Sequence, residues 1–94
     1  MDKEELFKKI VLFLKRYGVD KIGIFGSYVN DEATAESDID ILVNFSERIT
    51  LLEFVRMERE LSEAIALKVH LLTEKCINPH LIDDIKKEMV VLYQ

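Results

Sequence analysis

Apolar residues recur along this chain in two rhythms, every third or fourth position and every second position, and the switches between them outline its elements. From Lys3 to Tyr17, the residues Leu6, Phe7, Ile10, Val11, Phe13, Leu14 and Tyr17 fall at helical spacing with lysines and glutamates between them, which predicts an amphipathic helix. Lys15 and Arg16 suit the negative end of its dipole, and Gly18 can take the left-handed conformation that stops it. Val19 to Phe25 follows as a strand and Asp38 to Phe45 as a second. Beyond its aspartates the second strand is apolar at Ile41, Leu42 and Val43 in succession, the pattern of a central strand covered on both faces.

Thr50-Leu51-Leu52-Glu53 carries the capping-box pattern, so a helix is expected from about Leu51 to Ile65. Leu51, Phe54, Val55, Leu61 and Ile65 read as its buried stripe, and Arg56, Glu58, Arg59, Glu60 and Glu63 as a solvated face. Leu67 to Leu72 alternates as a third strand, and Asn78-Pro79 opens a last helix carried by Leu81, Ile82, Ile85 and Met89. The closing Val90-Val91-Leu92-Tyr93 fits helix or strand, and core cover or a partner-binding edge. This order predicts an α/β (α+β) fold: a small mixed sheet of three to four strands flanked by helices, in one domain spanning 1–94. The helix between the second and third strands permits parallel pairing there.

Composition narrows the function. With 49% hydrophobic and 33% charged residues the chain is expected to fold. A net charge of -5, from 13 Lys+Arg against 18 Asp+Glu, argues against long nucleic acid as the main partner. A small nucleotide stays open, because a bound divalent cation neutralises carboxylates and phosphates locally. No apolar run approaches the roughly 20 residues of a membrane span, and Met1-Asp2-Lys3-Glu4-Glu5 is charged where a signal peptide would be apolar. A cytoplasmic protein is expected. Cys76 is the single cysteine, without an internal disulfide partner, and is expected as a small buried hydrophobe.

The chemistry concentrates between Ile22 and Phe45. An apolar run ends in Gly26-Ser27, a polar loop follows from Tyr28 to Ser37, and the next strand opens with Asp38-Ile39-Asp40. Strand alternation sets Asp38 and Asp40 on one face and Ile39 and Ile41 on the other. Two carboxylates a pleat apart can hold a divalent metal. Gly26 removes a side chain that would keep a ligand off the backbone, and Ser27 can open a short helix whose N–H groups face an anion. His70, in the third strand, can join the aspartates. Cys76 and His80 show no recognised zinc spacing with His70, and His80 reads as surface.

Gly26-Ser27, the polar loop, and Ser37-Asp38-Ile39-Asp40-Ile41-Leu42-Val43 resemble the signature of the minimal nucleotidyltransferases, the MNT-type branch of the DNA polymerase beta-like superfamily. The resemblance extends over nearly the whole chain. It implies transfer of AMP from ATP, or of another nucleoside monophosphate from its triphosphate, to a hydroxyl acceptor. Gly26, Ser27 and Ser37 would bind the nucleotide, Asp38 and Asp40 would hold Mg²⁺ or Mn²⁺, and His70 would complete the catalytic set. Such domains are often antitoxins of HEPN-type toxins, so a small helical HEPN-type protein is the implied partner. Two features depart from the family pattern. His70, in Lys68-Val69-His70-Leu71, stands where a third carboxylate is usual, and Val29-Asn30-Asp31 stands where Ala-Arg-Gly is usual. They motivate the alternative of a catalytically weak or inactive binding module that neutralises its partner by contact.

Overall fold

The computed structural model describes residues 3–28 and 38–94. Helix α1 spans Lys3–Lys15, strand β1 Val19–Phe25, strand β2 Ile39–Phe45, helix α2 Leu51–Ile65, strand β3 Val69–Leu72, helix α3 Pro79–Glu88 and strand β4 Val90–Tyr93. The sheet runs β3-β2-β1-β4. β1 is antiparallel to β2 and to β4, and β2 is parallel to β3, as the α2 crossover permits. The fold is thus the mixed α/β sheet expected, with β2 in its interior. The undecided Val90–Tyr93 segment is an edge strand.

Each boundary has a local cause. α1 stops as Gly18 takes φ 75°, and β1 begins at Val19. Thr50 caps α2, its hydroxyl accepting from the Glu53 N–H at 3.2 Å. At the other end Ala66, with φ 58°, donates its N–H to the Ser62 carbonyl. The Asn78 side chain accepts from the His80 N–H at 2.9 Å, and Pro79 fills the first turn of α3.

The core lies on one face of the sheet. Leu6, Ile10 and Leu14 of α1 and Met57, Leu61 and Ile65 of α2 close over Ile22, Ile24, Ile39, Ile41, Val43, Val69 and Leu71. On the opposite face Leu42 is buried and Met89 lies against Gly23, where an added Cβ would overlap its thioether.

Two expectations need correction. Leu51 and Val55 are exposed by 78% and 52%, and Met57 takes the buried place. At about 100° per residue, Val55 lies roughly 200° around the helix from Met57, and Leu51 roughly 120°. The stripe is therefore Met57, Leu61 and Ile65, flanked by Phe54. Cys76 is exposed in a 3-10 turn, Glu74–Cys76, where the Thr73 hydroxyl donates to its sulfur at 3.3 Å and lowers the thiol pKa. Leu81 is 54% exposed, and no residue of α3 is fully buried.

Candidate active site

Alternation along β2 decides where the carboxylates go. Ile39, Ile41 and Val43 point into the core, so Asp38 and Asp40 point to the face that α1 and α2 leave uncovered. The Ile39 N–H donates to the Lys68 carbonyl at 2.9 Å, which ties the start of β2 to the entry of β3. Parallel register then sets Asp40 beside His70, while Phe25 of β1 flanks Asp40 on its other side.

His70 Nε2 lies 2.7 Å from Asp38 Oδ2, with both side chains partly open to solvent. Where Nε2 is the donor in this contact, Nδ1 of the same ring is free to accept a proton. Burial raises the Asp40 pKa above 3.8; the neighbouring His70 lowers it and the Asp38 charge raises it further. A cation bound between Asp38 and Asp40 would offset both the burial and the like charge that raise this pKa.

The third contributor is the turn after β1. Gly26 has φ 81° and opens a 3-10 turn, Gly26–Tyr28, whose Tyr28 packs on the core. A Cβ on Gly26 would stand 2.5 Å from Asp40 Oδ2. The glycine thus makes room for the carboxylate itself. Ser37, the Ser27 side chain and the Val29-Asn30-Asp31 segment lie outside the described residues.

The donor set fits a hard divalent cation. Asp38 and Asp40 supply carboxylate oxygens, and among the described residues no group of three or more His, Cys, Asp or Glu side chains is arranged to hold a metal ion. Mg²⁺ is commonly held in this way, by one or two carboxylates with phosphate oxygens and water completing the octahedron. His80 is exposed at the start of α3, away from this set. A cavity of about 580 Å³ lies at the far end of β2, between Asn44, Ser46, Arg48, Ile49, Thr73 and Lys75, and contains none of the expected site residues.

One neighbour escaped the sequence reading. Glu58, assigned to a solvated face, accepts the Leu71 N–H at 2.8 Å and so occupies the outer edge of β3 next to His70. Nothing in a helical charge pattern reveals a strand edge 13 residues away.

Comparison with known proteins assigns the class. The model of the nucleotidyltransferase domain matches residues 5–92, and the chain belongs to that family of enzymes, in its minimal MNT-type branch. It is 43% identical over 90 residues to a candidate protein adenylyltransferase of Methanocaldococcus jannaschii, covering 96% of this chain and 97% of that one. It is 40% identical over 76 residues to the protein adenylyltransferase MntA of Thermococcus cleftensis, covering 81% and 77%. Its fold also matches, with a TM-score of 0.79 and 20% identity, over 98% of this chain and 72% of the other, a structure described as a tri-AMPylated Shewanella oneidensis HEPN toxin in complex with MNT antitoxin. Among the described residues no helix is long and apolar enough to cross a membrane.

Proposed function

We propose that this chain transfers AMP from ATP to a hydroxyl group, most simply a tyrosine, on a HEPN-type toxin that it holds in check. The observation that carries the reading is the convergence of Asp38, Asp40 and His70 on the uncovered face, beside the Gly26 turn. The named activities of the relatives support adenylyl transfer, and the HEPN complex supports the partner class.

Gly26 and Ser27 bind the triphosphate through backbone N–H groups, with the Ser27 and Ser37 hydroxyls as further donors. Asp38 and Asp40 would hold Mg²⁺ or Mn²⁺, which when bound would offset phosphate charge and favour the departure of pyrophosphate. The acceptor oxygen attacks the α-phosphorus as the bond to pyrophosphate breaks, and the acceptor proton passes to Nδ1 of His70. Asp38 supports this by accepting from Nε2 and steadying the imidazolium that results.

The 2.7 Å contact between Asp38 and His70 also favours a second reading, in which the pair is satisfied on its own and the chain neutralises its partner by contact alone. Incubation with α-labelled ATP, the partner toxin and either metal separates the two. Label on the partner that disappears with Asp38→Asn/Asp40→Asn establishes transfer; intact partner binding without label under either metal leaves the contact inhibitor.

A further inference from the structure

The two edges of the sheet are finished differently. On β3 the Glu58 carboxylate takes up the Leu71 N–H, so that edge is partly occupied from within the chain. β4 is the other edge and reads Val90-Val91-Leu92-Tyr93, with no charge and no proline, and with Val90 and Val91 exposed by 43% and 42%. An uncharged edge strand with open valines is a template for another strand. Beside it, between α1 and β4, runs an apolar groove of about 610 Å³ lined by Phe7, Val11, Leu12 and Leu92, with Glu4 and Lys8 on its rim. Leu12 is 65% exposed there.

We propose that this edge and groove form a homodimer interface, in which β4 pairs antiparallel with β4 of a second copy about a twofold axis. Two four-stranded sheets then become one continuous sheet of eight strands. A twofold interface must be complementary to itself, and an antiparallel pair of identical strands meets that condition. The same axis brings the two α1 helices side by side over the joined strands, so Leu12 of each copy enters the apolar groove of the other. Glu4 and Lys8 stand one turn apart on α1 with no ion-pair partner among the described residues, and the twofold reverses their order across the interface, setting acid against base. A groove balanced in charge in this way suits a second copy better than a strongly acidic or basic partner. The inference stands apart from the catalytic reading, because Asp38, Asp40 and His70 lie toward the opposite edge of the sheet.

Sedimentation equilibrium of the full chain tests it, together with Val91→Lys, Leu12→Glu and hydrogen exchange of the β4 amides. The expected result is a species of twice the 11.0 kDa chain mass. Each variant weakens association by about tenfold or more while keeping the wild-type circular dichroism. The amides of Val90 to Tyr93 gain protection as concentration rises. Should Val91→Lys fail to fold, Leu12→Glu on α1 decides the matter. A wild type that stays monomeric, including one whose β4 amides become protected only when a HEPN-type protein is added, overturns the proposal. So does a dimer that survives both substitutions.

Discussion

The two faces of the sheet are built from the same strands and do opposite work. Along β2, Ile39, Ile41 and Val43 have no exposed surface and carry the core, while Asp38 and Asp40, one residue out of phase, stand on the uncovered face next to His70. On β3 the same alternation buries Val69 and Leu71 and leaves His70 exposed. The first face is apolar and closed by two helices, so its substitutions register as stability. The second gathers charge, and burial raises the Asp40 pKa there, so on the proposed reading its substitutions are expected to register as activity. A period of two lets one strand serve both faces.

Breaking the chemical face has the largest expected effect. Asp40→Asn is expected to lower nucleotidyl transfer by roughly a hundredfold or more, while the thermal midpoint of the metal-free protein holds or rises, since a half-buried charge is removed. Calorimetry beside a labelled-ATP assay reads both. Breaking the other face gives the converse. Ile41→Ala empties a fully buried site and costs about 2–5 kcal/mol, seen as a lower denaturant midpoint, whereas Val55→Ala on the exposed side of α2 stays within about 0.5 kcal/mol.

Gly26→Ala tests the seam between the faces. A side chain at φ 81° costs roughly 1–2 kcal/mol, and its Cβ displaces the Asp40 carboxylate. Activity is expected to fall by roughly tenfold to a hundredfold, more than the stability loss alone accounts for.

A pH series sharpens the comparison further. Because the folded Asp40 pKa lies above 3.8, the native state holds that proton more tightly than the unfolded chain between the two values. Stability therefore falls as pH rises through that window. The thermal midpoint of the metal-free wild type should decline there relative to Asp40→Asn, which lacks the step. The smallest effect is expected at Ala66, whose φ of 58° suits glycine: Ala66→Gly should stabilise by a few tenths of a kcal/mol, measured by chemical denaturation.

Which parts of this were legible in the sequence follows from how local each signal is. The shared face of Asp38 and Asp40 is a property of strand alternation and needs no partner, so it could be read directly. The caps at Thr50 and Asn78 and the stop at Gly18 are equally local. Leu51 and Val55 read as buried and lie exposed because an apolar residue in a helix says nothing about which side the sheet lies on until Met57, Leu61 and Ile65 dock. Cys76 reads as buried and lies exposed because thiol burial is a tendency of the residue type and not of its turn. The register that sets His70 beside Asp40 depends on a parallel pairing whose directions the sequence left open, so the family pattern pointed to that position while spacing alone did not. Glu58 at the edge of β3 depends on the same pairing and had no local signal at all.

The parallel arrangement of β2 and β3 also governs when the site comes into being. Asp38 and His70 are 32 residues apart in sequence and meet only after the chain has closed the loop through α2, a contact no local hairpin can supply. A partly folded chain therefore has its carboxylates without their imidazole. Conversely, a ligand that grips both strands works as a removable cross-link on β3, a four-residue edge strand that would otherwise be prone to fray. On the proposed reading the nucleotide bridges the two strands, so occupancy and resistance to proteolysis are expected to rise together, and limited digestion then reads binding without catalytic turnover.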